Sequence, residues 1–125
     1  MKFRNSFVTN SSSSSYIIST SKENKNRMND FYDIVDHMIG YETDEPILIT
    51  SEKKLNEYVK DTYDISLPEI LNGEDKYYKE RYGKILEELK NGNIVLIQEV
   101  AYESEELYDK ILYYVLKDFK RINEY

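Results

Sequence analysis

The 125-residue chain contains no cysteine and no tryptophan, and it has one histidine, two prolines and four glycines. Without cysteine there can be no disulfide, thiolate nucleophile, iron–sulfur ligation or cysteine zinc site. A Ser-His-Asp triad would have to be built on His37, the single histidine. Long apolar runs are also missing: the longest, Ile94 to Ile97 and Ile111 to Leu116, fall far short of the roughly 20 residues that cross a bilayer. After the basic start Met1-Lys2-Phe3-Arg4, the residues beyond Phe7-Val8 are polar rather than an apolar signal core. The expectation is a cytoplasmic protein that does not engage a membrane.

Apolar residues make up 40% of the chain and charged residues 33%, a balance that supports a globular core. The length suits one domain over residues 1–125, with residues 1–15 expected as a flexible or loop-like N-terminal segment. The net charge of -7 is unevenly spread. Residues 1–27 carry +4, residues 28–75 carry -10 and residues 76–125 carry -1, so the acidity is concentrated in the middle. An acidic surface repels nucleic acid in bulk and favours basic partners, although a solvated face that maintains solubility is the commoner reading. Thirteen tyrosines accompany abundant Asn, Lys and Ile, a usage that AT-rich codons would give. Tyrosine also serves interfaces, because it combines apolar area with a polar tip.

Periodicity gives an order of elements. Tyr16 to Thr20 reads as a strand, and from Met28 the apolar positions 28, 31, 32, 35, 38 and 39 share a helix face that Gly40 would stop. Pro46 to Thr50 is a second strand, and Ser51 caps a helix carrying Leu55, Tyr58, Val59 and Tyr63 on one face. Residues 64–73 form a connection with one helical turn, followed by a helix marked by Tyr78, Tyr82, Ile85, Leu86 and Leu89 and closed by Asn91-Gly92. Asn93 to Tyr102 holds four consecutive apolar residues, the pattern of a central strand buried on both faces. Ser104 is expected to cap a last helix whose face runs through Tyr108, Ile111, Leu112, Val115, Phe119 and Ile122. The class predicted is α/β or α+β, a small three- to four-stranded sheet packed with about four helices, mainly on one side or as an irregular cover.

The feature least like ordinary sequence is the run Ser11, Ser12, Ser13, Ser14, Ser15. Serine hydroxyls and neighbouring amides can hold a phosphate, but phosphate loops use glycines to turn the amides inward and usually a lysine. Neither Gly nor Lys lies between Asn5 and Ser21. A nucleophilic serine needs a base and an oxyanion hole, and nothing local supplies them. On composition alone such a run is a linker or a modification target. Its tight flanks, Phe7-Val8 and Tyr16-Ile17-Ile18, argue instead for a loop between strands or for small side chains on a crowded sheet face.

Two further constellations carry chemistry. Asp30, Asp33, Asp36 and His37 recur at helical spacing, so two of them could bind a divalent metal, but acids opposite an apolar face are ordinarily a solvated stripe. Lys76-Tyr77-Tyr78-Lys79-Glu80-Arg81-Tyr82-Gly83-Lys84 interleaves cations with aromatics, as single-strand binders do. Tyr78 and Tyr82 are needed for the core face of that helix, so an ordinary amphipathic helix is the simpler account and direct nucleic-acid binding is not expected.

The segment Arg4-Asn5-Ser6-Phe7-Val8-Thr9-Asn10-Ser11 to Ser15-Tyr16-Ile17-Ile18 resembles an N-terminal motif that recurs in uncharacterised proteins of Firmicutes and their phages. Those proteins begin with a basic stretch, then Phe-Val-Ser/Thr-Asn, five serines, an aromatic and aliphatics. The resemblance covers about the first 18 residues and implies a phage or mobile-element setting, hence a small accessory or host-interaction protein. The reading that results is a non-enzymatic acidic protein that binds a basic host protein, as an inhibitor or nucleic-acid mimic, through Asp30, Asp33, Asp36, Glu42, Asp44 and Glu45. No cofactor, metal or catalytic residue is expected. The alternatives are a phosphate or small-ligand protein or enzyme, with a pocket joining Ser11 to Ser15 to His37, and a tyrosine-faced homo-oligomer.

Overall fold

A computed structural model describes residues 13–123 of the chain. Four strands form one antiparallel sheet in the order β2-β3-β1-β4, with β1 at Ser13–Ser21, β2 at Ile47–Ile49, β3 at Asn93–Ala101 and β4 at Phe119–Arg121. Five α-helices accompany it: α1 (Met28–Met38), α2 (Glu52–Tyr63), α3 (Leu67–Leu71), α4 (Lys76–Lys90) and α5 (Glu105–Val115). This is an α+β fold. As its run of apolar residues predicts, β3 lies inside the sheet, between β2 and β1.

The two faces of the sheet follow from the alternation of side chains along β1 and β3. Even-numbered positions Tyr16, Ile18, Ile94, Leu96 and Val100 pack with Met28, Phe31 and Val35 of α1 and Tyr108, Ile111 and Leu112 of α5. Odd-numbered Ile17 and Val95, joined by Ile49 of β2, pack with Leu55 and Val59 of α2, Leu67 and Ile70 of α3 and Tyr82 and Ile85 of α4. Helices therefore cover both sides, two on one face and three on the other, rather than mainly one side. A sheet whose β1 and β3 are apolar at both odd and even positions requires cover on both.

Several local signals act as the sequence suggests. Gly40 takes φ +63° after α1, and Gly92 takes φ +87° in the turn before β3, conformations that glycine adopts without steric cost. Ser51 caps α2 by accepting from the Lys54 amide at 3.2 Å. Ser66 and Glu69 form a capping box that makes residues 67–71 a genuine short helix. Asp75 accepts from the amides of Tyr77 and Tyr78 at 3.0 and 3.2 Å and starts α4.

Three expectations change. The first strand includes Ser13, Ser14 and Ser15, so these three serines belong to the sheet; Ser11 and Ser12 lie outside the described residues. Ser104 sits at the start of α5, but its hydroxyl donates to Glu42 at 2.9 Å instead of capping the helix. The last helix stops at Val115, and Phe119 and Ile122 leave its face: Phe119 belongs to β4, and Ile122 is buried on the opposite side of the sheet. Lys117 adopts φ +51° where the chain turns. Buried Asn24 donates to the Leu116 carbonyl at 2.9 Å and to the Thr20 hydroxyl, which in turn donates to the Asp118 carbonyl at 2.5 Å. These tertiary bonds stop a helix whose apolar spacing would otherwise have continued.

Candidate ligand cleft

The register of β1 on β3 places Ser15 directly opposite Glu99 and Ser13 opposite Ala101, all on the odd-numbered face. The hydroxyl of Ser13 donates to Oε2 of Glu99 at 3.2 Å, and that of Ser15 donates to Oε1. Both carboxylate oxygens are thus engaged by neutral donors. Odd positions nearer the middle of the sheet are apolar, namely Ile17, Val95 and Ile97, so the surface changes from hydrocarbon to hydroxyl and carboxylate along the same two strands.

Above this floor is a cleft of about 900 Å³. Its walls are Asp44, Glu45 and Ile47 on one side and Tyr58, Tyr63, Tyr77, Tyr78 and Arg81 of α2 and α4 on the other, with Tyr102 at the end of β3. The tyrosines support one another. Tyr63 packs edge-on to Tyr82 at 5.8 Å and shares a hydroxyl–hydroxyl bond of 2.7 Å with it, and its ring lies 5.4 Å from that of Tyr78. Burial raises the phenol of Tyr58 above its ordinary value, with the neighbouring Tyr63 adding to the shift. Tyr82 is raised by burial first and by its bond to Tyr63 second. These phenols are neutral at physiological pH; Tyr58 gives the cleft aromatic surface, and Tyr82 supports Tyr63 from the core. The Arg81 guanidinium lies 4.8 Å from the centre of the Tyr77 ring and bonds its hydroxyl. Asp44, Glu45 and Glu99 give three carboxylates against one cation among the described lining residues.

The opposite end of the same face carries a second serine–carboxylate pair. Buried Glu88 of α4 accepts from the Ser19 hydroxyl at 2.6 Å, from Asn93 at 3.0 Å and from the Lys120 ammonium at 3.2 Å. The Ser19 hydrogen bond holds the Glu88 carboxyl below its ordinary value, helped by Asn93 and Lys120 and opposed by desolvation.

The residues singled out in the sequence are dispersed. Ser13, Ser14 and Ser15 line the cleft, as do Asp44 and Glu45. The Asp44 backbone ties the segment before β2 to β3: its amide donates to the Glu99 carbonyl at 3.1 Å, and its carbonyl accepts from Gln98 at 2.7 Å. Glu42 is held by Ser104. Asp30 and Asp33 are exposed on α1, which packs on the other face of the sheet, where they border a shallow hollow with Arg27 and Tyr114; Asp36 is half-buried on that helix. The six acids therefore do not form one surface. His37 is exposed on α1 and does not line the cleft, so the pocket joins the serines to tyrosines and Arg81 rather than to histidine. Among the described residues no three or more His, Cys, Asp or Glu side chains group to hold a metal ion, and no helix is long and apolar enough to cross a membrane.

Glu99, Tyr58, Tyr63 and Tyr102 line the cleft without having been singled out as binding residues in the sequence. The basic-aromatic stretch of α4 was the one available signal: Tyr82 is a core residue, whereas Tyr77, Tyr78 and Arg81 face the cleft. The fold is thus a four-stranded antiparallel sheet covered on both faces, with a hydroxyl- and carboxylate-floored cleft at one end. Comparison with protein-family models, curated proteins and solved structures gives no significant match for this chain.

Proposed function

We propose that this chain is a non-enzymatic binding protein of phage or mobile-element type that takes a basic segment of a host protein into the cleft, and inhibits that protein by occupying the segment. The observation that carries the reading is the make-up of the cleft: about 900 Å³, with the carboxylates Asp44, Glu45 and Glu99 among its described lining residues, along tyrosine walls. Carboxylates steer a basic partner and set its register, while tyrosines supply contact area at low entropic cost. The N-terminal resemblance supports the mobile-element setting. The serine hydroxyls favour this reading over an anion site, because Ser13 and Ser15 already direct their protons to Glu99. The separation of Asp30 and Asp33 from Asp44 and Glu45 favours capture in a cleft over an extended mimic of nucleic acid.

The test is capture from host lysate at low salt with three forms of the protein. Wild type and an Asp30→Asn/Asp33→Asn variant should retain the same partner, and Asp44→Asn/Glu45→Gln should lose it. Recovery of no partner, or equal recovery by all three, would overturn the proposal.

A further inference from the structure

The geometry points to Glu99 as the counter-ion for an organic cation carried on an aliphatic stem, a substituted ammonium such as a lysine side chain, bound between the sheet floor and the tyrosine wall. This inference rests on the reading of the cleft as the binding surface and names what enters it.

Position 99 is an inward-facing site on an interior strand, where Val95 and Ile97 precede it on the same face. A carboxylate there is desolvated in part and contributes nothing to the apolar core, so folding alone favours another residue. Two serines nonetheless hold it, one hydroxyl to each oxygen. Neutral donors orient a carboxylate without neutralising it. Among the described residues no cation bonds Glu99. An ionised carboxylate has about four lone-pair positions. Ser13 and Ser15 use two, which leaves capacity for the donors of an incoming cation.

The rest of the cleft suits the remainder of such a group. Ring faces of tyrosine attract cations through their quadrupole. The placement of Arg81 over Tyr77 is an internal instance of that attraction on this wall. Ile47, 39% exposed, and Ile97 offer hydrocarbon for a methylene stem beside the carboxylate. Polar ends and apolar stem are thus matched within a single cavity, the usual composition of a selective pocket.

The chemistry has two sources, a lysine of a partner protein or a free polyamine, and three probes separate them. The full-length protein is titrated with an end-blocked peptide containing one lysine, with the same peptide Nε-acetylated, and with spermidine, while the amide resonances of residues 97–101 are followed by NMR. The lysine peptide or spermidine should shift those amides, the acetylated peptide should not, and Glu99→Gln should weaken binding about tenfold or more. Tighter binding of the peptide assigns a protein lysine, and tighter binding of spermidine assigns a free polyamine. Equal binding of the acetylated peptide, or unchanged affinity in a folded Glu99→Gln protein, would overturn the assignment. The two readings fail separately: if Glu99→Gln still captures the lysate partner that Asp44→Asn/Glu45→Gln loses, the cleft function stands and the role of Glu99 falls.

Discussion

Glu88 and Glu99 occupy opposite ends of one sheet face, and each accepts hydrogen bonds from serines of β1. At the Glu88 end, Ser19 is buried, Asn93 adds a donor, and Lys120 supplies a positive charge at 3.2 Å. At the Glu99 end the side-chain donors among the described residues are hydroxyls, and the cleft lies where the other end has its covering lysine. The same pairing therefore does two jobs. With an internal cation it is a closed structural network that joins α4 to β1, β3 and β4. Where no cation among the described residues bonds it, as at Glu99, the pairing leaves an oriented carboxylate, which the proposed reading assigns to a ligand. Buried polar networks stabilise when complete, and an incomplete one indicates function or strain.

Removing Glu88 should have the largest effect, because it strands the partners of the closed network. Glu88→Ala leaves the buried Ser19 hydroxyl and the Asn93 amide without their acceptor, at a cost of about 1–3 kcal/mol in chemical denaturation. A loss below about 0.5 kcal/mol would mean that water satisfies this end as readily as the cleft, and the contrast would collapse.

The acid response separates the ends further. The Glu88 carboxyl is depressed in the folded protein, so its stabilisation is complete above the unfolded value of about 4.3 and is lost as pH falls through the folded value. Thermal melts from about pH 3 to 7 should show a steeper acid limb in wild type than in Glu88→Gln, with the two curves converging at the acid end. Parallel curves would show that Glu88 gains nothing from Ser19, Asn93 and Lys120.

How much of this was legible in the sequence depends on whether the signal was local. Caps at Ser51, the stops at Gly40 and Gly92, and the interior position of β3 follow from neighbouring residues or from a run of apolar side chains. The end of α5 did not, because Asn24 and Thr20 turn the chain from over 90 residues away. The serine run was visible as specified sequence, but its chemistry was not: Ser15 meets Glu99 across 84 residues through strand register alone. The tyrosine wall was hidden for the same reason, since Tyr63 and Tyr78 belong to different helices and their adjacency comes from the packing of α2 against α4. The acidic residues misled because sequence proximity says nothing of which sheet face a helix will cover; α1 and the segment before β2 point their charges to different surfaces.

Lys120→Met leaves the closed end with neutral donors, Ser19 and Asn93, as the open end has Ser13 and Ser15. The lysine side chain is 68% exposed, so solvent already screens the pair and the cost should be small, about 0.2–1 kcal/mol. The methylene stem is retained, which isolates the charge. A loss well above that range would show that a carboxylate on this face cannot rest on neutral donors alone, and Glu99 would then need another explanation.

The smallest expected effect on stability falls on Glu99→Gln. Glutamine keeps the shape and one acceptor oxygen, and a serine hydroxyl can rotate to accept from the new amide. With no cation bonded to it among the described residues, stability should stay within about 0.5 kcal/mol of wild type or rise slightly as a charge is removed. A substitution that leaves denaturation unchanged yet weakens cation binding about tenfold can only report a ligand contact, because a structural role would move both. A loss of more than about 1 kcal/mol would instead make Glu99 part of the scaffold, as Glu88 is, and the two ends of the sheet would differ only in how much water reaches them.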